Sequence, residues 1–177
     1  MTEQAQAPDY IGAIAGARSW RMAPTLWAKM GGILWAKVQT DVWPNAQMKI
    51  AECERGHPVP AERCSCGVYA WYDADILHLQ GFAPHDHTTI SGVVAGSGGV
   101  IRGHSGYWVA EKVVVLAFFD DGHPSPVREV MPGSGVYLAT KEEAAEVWGV
   151  PLIKYEEYAD FCDEYGLWRC DERGEWR

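Results

Sequence analysis

The tightest constraint on this chain lies in residues 53–71, Cys-Glu-Arg-Gly-His-Pro-Val-Pro-Ala-Glu-Arg-Cys-Ser-Cys-Gly-Val-Tyr-Ala-Trp. Within fourteen residues it places four groups able to ligate a soft or borderline cation, Cys53, His57, Cys64 and Cys66. Pro58 and Pro60 stiffen the connection between His57 and Cys64, and Gly67 permits the positive φ that lets backbone amides turn back toward a thiolate. Three sulfurs and one imidazole make the Cys3His set that zinc takes in closed, tetrahedral structural sites. The spacing is not one of the common finger spacings, so two other readings stay open: buried reduced thiols without metal, and a catalytic or redox thiol. A Cys64–Cys66 disulfide would close a very tight ring with poor geometry. The Cys-x-Cys pair also lacks the Cys-x-x-Cys spacing of thioredoxin-like redox motifs.

What surrounds this knot is bounded by length and charge. A chain of 177 residues with 47% hydrophobic content suffices for one well-buried domain, expected over 9–170 between a disordered tail at 1–8 and a frayed tail at 171–177. Its five cysteines are an odd number, and no basic, apolar and cleavable leader pattern opens the sequence. These features point to a reduced, cytoplasmic protein. The longest apolar run, 113–119, is far too short to cross a bilayer as a helix, so no membrane partner is expected. A net charge of −9 argues against a broad phosphate-binding face and hence against nucleic acid.

The β signals come first. Residues 11–22 read as a strand with Trp20 and Met22 on one face and Arg21 on the other, and Pro24 ends it. Residues 26–30 and 33–38 read as hairpin arms around Gly31-Gly32, with Trp27, Trp35 and Trp43 anchoring a sheet. A turn at 42–45 leads to a short strand at 48–51 that delivers Cys53. After the knot, 67–71 alternates Val68 and Ala70 against Tyr69 and Trp71, and Asp73 or Asp75 caps a short helix reaching about Gln80. His85 and His87 alternate in a polar loop with no third ligand close in sequence. The Gly96-Ser-Gly-Gly99 run lacks the Lys of a Walker loop and reads as a bulge or bend between strands. Residues 108–119 then form a central strand, apolar on both faces.

Helical signals follow. Thr140-Lys-Glu-Glu143 is a capping box, Gly149 a C-cap, and a second helix runs over about 154–165 to Gly166. The segregation predicts an α+β fold: a mainly antiparallel sheet with two C-terminal helices in a single domain. The eight acidic residues of these helices, from Glu142 to Glu164, predict acidic surface there.

Several of these residues carry a resemblance. Arg18-x-Trp20, Cys53, the His57-x-x-Pro60 spacing, Cys64-x-Cys66-Gly67-Val68-Tyr69-Ala70, and a Gly/Val-rich strand leading to His104, Gly106-Tyr107 and Ala110-Glu111 resemble a functionally uncharacterised family of actinobacteria and their phages. The likeness covers roughly 16–150, and the Cys-x-Cys-Gly-x-Tyr-Ala block is its most specific part. In this chain the family's Trp-Gly before the histidine is a Ser/Gly stretch, and its Gly-Tyr-Arg-Ala is Gly106-Tyr-Trp-Val-Ala110, so any role of that arginine is absent or relocated.

Two function classes remain. The favoured one is a zinc-stabilised, non-catalytic accessory or regulatory protein that binds a partner protein, phage-encoded and acting on a host protein if the resemblance holds. The alternative is a small hydrolase or transferase with His104 as general base and His57 or Asp120 nearby; no paired nucleophile and base announces it.

Overall fold

A computed structural model describes residues 5–7, 13–24, 34–36, 42–43, 48–79, 89–102, 106–122 and 128–170. The described strands are β1 (Ala5–Ala7), β2 (Ile14–Met22), β3 (Leu34–Ala36), β4 (Val42–Trp43), β5 (Lys49–Ile50), β6 (Val68–Trp71), β7 (Thr89–Arg102), β8 (Tyr107–Phe119) and β9 (Leu152–Ile153). Helices α1 (Ala74–Leu79), α2 (Lys141–Trp148) and α3 (Tyr158–Glu164) accompany them, α3 being preceded by a single 3-10 turn at Tyr155–Glu157. The fold is a mainly antiparallel sheet with α2 and α3 in the last third, and one parallel pair where β9 joins β8.

The sheet order is β1-β7-β8-β6-β2-β3-β4, and β2 also pairs with β7 over eight residue pairs, from Ile14↔Gly96 to Arg21↔Thr89. Strands β2, β7, β8 and β6 therefore close a ring, completed by the single pair Ala17↔Trp71. Closure needs curvature, and β7 supplies it with register shifts between Val93 and Val94 and between Ser97 and Val100. The glycine run, expected between strands, is instead a bulge inside one continuous strand, because both sides of it stay paired with β8; Gly98 takes φ 77° there.

Alternation along β2 sorts the core. Ile14, Trp20 and Met22 face inward, whereas Ala13, Ala15 and Ala17 face the outer layer. Inside, Trp108 of β8 reaches across the ring to β2: a Cβ at Gly16 would stand 2.6 Å from its indole Nε1, and one at Gly96 2.7 Å from its ring. The indole N–H donates to the Ala15 carbonyl at 2.8 Å, so this large buried ring keeps its polar atom paired. Trp20, Trp43, Phe118 and Trp148 continue the interior as edge-to-face contacts of 5.3 to 6.3 Å between centroids. Helix α2 joins this inner core through Ala144, Ala145 and Trp148, while Leu77 of α1 and Tyr158, Phe161 and Cys162 of α3 cover the outer face.

Most local expectations match these elements. Trp20 and Met22 are buried and Arg21 exposed; Asp73 Oδ1 accepts from the Asp75 amide at 3.3 Å; and Thr140 and Glu143 form both bonds of the capping box. Gly149 closes α2 at φ 64°. All eight acidic residues of the C-terminal helices are exposed. A second reading is corrected: Val42–Trp43 is a strand paired with β3, because Trp43 is drawn to 1% exposure against Trp20 where a turn would have left it at the surface. Of the tail expected at 1–8, Ala5–Ala7 pair with β7 as β1. The first hairpin arm with Trp27 and Gly31-Gly32, the loop with His85 and His87, and the tail at 171–177 lie outside the described residues.

Candidate metal centre

The knot is delivered by two strands that flank it in sequence and both pair with β8. On one side β5 pairs Lys49↔Val113 and Ile50↔Lys112, and the Ala51 amide donates to the Glu111 carbonyl at 2.8 Å. On the other, β6 pairs Val68↔Ala110. The loop between them is built of two tight turns, closed by Gly56 N–H to the Cys53 carbonyl at 2.9 Å and Cys64 N–H to the Ala61 carbonyl at 3.0 Å. Gly56 takes φ 71° in the first, as the glycine after a ligand turn must.

The loop sits on the sheet through its prolines and glycines. Pro60 is buried, and a Cβ at Gly99 in the β7 bulge would come within 2.8 Å of the Val59 carbonyl oxygen. Gly67 has φ 116° and leaves no room for a side chain, its notional Cβ lying 2.4 Å from Val109 Cγ1 and 3.4 Å from Pro60. Opposite the bulge, the Glu111 carboxylate accepts from the Gly99 amide at 3.2 Å. The bulge and Glu111 went unread in the sequence as parts of this site, and Pro60, expected as a stiffener of the loop, is also its anchor on the sheet.

The four ligand atoms converge: one from each of Cys53, His57, Cys64 and Cys66, all within 4.8 Å of one another. Cys53 Sγ lies 3.8 Å from Cys64 Sγ and 3.2 Å from His57 Nε2. Two sulfurs about 2.3 Å from one tetrahedral zinc stand about 3.8 Å apart, so the sulfur pair already has the spacing of co-ligands. It is far outside bonding distance, and all five cysteines are free thiols. His57 Nδ1–H donates to the Pro58 carbonyl at 2.8 Å, which turns Nε2 to the sulfurs. This outer bond is the arrangement that orients metal-ligating histidines. The four residues are positioned to bind a metal ion.

Electrostatics agree with a site that favours thiolate. The Cys66 amide and then the His57 imidazole bring the Cys64 thiol down from 9.0 to about 6. The Pro58 carbonyl first, and the Cys64 sulfur next, raise His57 above its usual value. Burial, and then its sulfur neighbours, push Cys66 up. These shifts favour the thiolate at Cys64 and the thiol at Cys66, and a bound cation would favour the deprotonated form of both.

Beside the cluster, Tyr69 and Trp71 of β6 meet Tyr107 of β8, with centroids 5.7 and 6.1 Å apart. Tyr69 is 37% exposed, and its phenol is raised by burial, by Tyr107, and by the sulfurs of Cys66 and Cys64. His104 lies outside the described residues. Asp120, its suggested partner, accepts from Lys141 Nζ at 2.5 Å and from the Gly122 amide at 3.0 Å, which ties the end of β8 to the first turn of α2. A cleft of about 510 Å³ lined by Tyr72, Asp73, Tyr155, Glu156, Tyr158 and Arg169 shares no residue with the cluster. No family model, curated protein or solved structure matches this chain. No helix among the described residues is long and apolar enough to cross a membrane.

Proposed function

We propose that this chain is a zinc-stabilised, non-catalytic binding protein, whose metal holds a recognition surface for a partner protein. The carrying observation is the closed ligand set: Cys53, His57, Cys64 and Cys66 together supply four protein donors to one point. Zinc is the ion of choice for three thiolates and an imidazole. Four protein ligands fill the tetrahedron, whereas catalytic zinc keeps a position for water or substrate. The metal's role is therefore to pin β5 and β6 beside β8. Support for the binding role comes from Tyr69, exposed next to the cluster with half-buried Trp71 and Tyr107 beside it, since aromatic side chains are favoured anchors at protein interfaces. The family resemblance adds an actinobacterial or phage setting, with a host protein as the partner.

Native mass spectrometry of the purified chain, with and without chelator, tests the metal half: one zinc per chain is expected, and a metal-free folded chain refutes it. The binding half is tested by affinity capture from an actinobacterial extract with wild type and Tyr69→Ala at equal zinc content. Capture that is indifferent to Tyr69 refutes the assigned surface.

A further inference from the structure

The knot differs from the other cysteines of the chain in what can reach it. Cys53, Cys64 and Cys66 are each half-buried at the surface of the loop, whereas Cys162 and Cys170 are buried in the core. The three sulfurs also differ in freedom. Cys66 runs directly into Gly67, which is wedged against Val109 and Pro60 at the start of β6. Cys53 and Cys64 lie in turns outside any strand, and the backbone of the first turn bends at Gly56, around which a side chain would meet nothing within 4 Å. Their sulfurs are 3.8 Å apart, so closure to a bond of about 2.0 Å asks only for a small movement of two turns. Ten residues separate them, enough to avoid the strained ring that a Cys64–Cys66 bond would make.

We infer that the knot is a peroxide-sensitive zinc switch, in which Cys53 and Cys64 close to a disulfide and the ion is released. This rests on the zinc reading above and adds a regulation to it. The oxidant is hydrogen peroxide or another two-electron peroxide. One thiolate attacks the peroxide oxygen, breaking the O–O bond and giving a sulfenic acid and, after protonation, water. The second thiolate then attacks that sulfur and displaces hydroxide, which takes a proton to become the second water. In sum, two thiolates lose two electrons, one peroxide and two protons become two waters, and zinc leaves as the unchanged dication. With two of four ligands gone, His57 and Cys66 alone do not hold it. The new bond still joins the two turns, but Cys66 and His57 are released from the cluster, and with Cys66 goes the metal's support of Tyr69, three residues beyond it.

The test uses the wild-type, zinc-bound full chain, so no variant has to fold. Peroxide is added stepwise while released zinc is read with a chromogenic chelator, free thiols are counted, and digested peptides are mapped by mass. The expected result is one zinc released per chain, two thiols lost, and a cross-link joining the peptides of Cys53 and Cys64. Dithiothreitol with added zinc should reverse all three. Zinc retained with its thiols intact, sulfinic acid without a cross-link, or a cross-link through Cys66 overturns the switch and leaves the zinc reading standing. A chain that carries no zinc from the start overturns the metal reading, and the switch with it.

Discussion

At the scale of single residues, the ligand set makes the sharpest claims. Zinc affinities in small peptides correspond to about 10 kcal/mol or more, comparable to the whole stability of a domain. Cys66→Ser should therefore melt well below wild type, and chelation should lower the wild-type melting temperature but leave that of the variant unchanged; differential scanning fluorimetry reads both. If the thiols packed without metal, the variant would cost only a modest packing term and chelator would do nothing. Protons compete for the same atoms. Cys64's folded value of about 6 lies below its unfolded 9.0, so its contribution is complete above the unfolded value and is lost as the pH falls through about 6. His57, raised by its bond to Pro58, contributes in the opposite direction: fully below its unfolded 6.5, and lost as the pH climbs past its folded value. Zinc needs all three thiolates and the neutral imidazole, so apparent affinity should fall progressively as the pH is lowered, measured by competition with a chromogenic chelator. The ligands could be named from sequence because residue type and local spacing suffice to nominate them. Their seat could not, because Gly99 and Glu111 come to the loop through the β7–β8 pairing, which no local pattern encodes.

At the scale of elements, α2 is the one whose stability is most nearly local. Thr140 Oγ1 accepts from the Glu143 amide at 3.1 Å, and Glu143 Oε2 accepts from the Thr140 amide at 2.8 Å. Thr140→Ala should cost about 1 kcal/mol, visible as a lower urea midpoint with an unchanged slope. Such caps, and the alternation of Val68 and Ala70 against Tyr69 and Trp71, were readable because they rest on neighbours within four residues. The second C-terminal helix was readable for the same reason, although its first turn is 3-10, closed by the Glu157 carboxylate accepting from the Lys154 amide. Val42–Trp43 was misread because the turn signal of Pro44-Asn45 competed with the burial of one indole, and tertiary packing won.

For the whole molecule the deciding object is Trp108, the side chain that spans the ring. It is fully buried, packs against Gly16 and Gly96, and bonds the Ala15 carbonyl. Trp108→Ala should cost about 3–5 kcal/mol, at the upper end for a core truncation because both glycine faces would border the cavity. Equilibrium denaturation would show it, and zinc content should survive wherever the variant remains folded. That the strands close into a ring was not readable: alternation tells a strand from a helix but names no partner, and β2 draws its ring partners β6 and β7 from more than fifty residues downstream.

Ring closure also has a kinetic side. Pairing Ile14 with Gly96 and Ala17 with Trp71 brings together residues far apart along the chain, and topologies of such high contact order fold slowly because the connecting chain loses entropy before its contacts form. The segment from Cys53 to Cys66 lies inside that long connection, and a metal ion that gathers its ends shortens the effective loop. On the zinc reading proposed above, the ion would act on the path to the fold as well as on the fold itself. Refolding followed by tryptophan fluorescence should accelerate when zinc is present from the first moment, and should lag when the ion is added late.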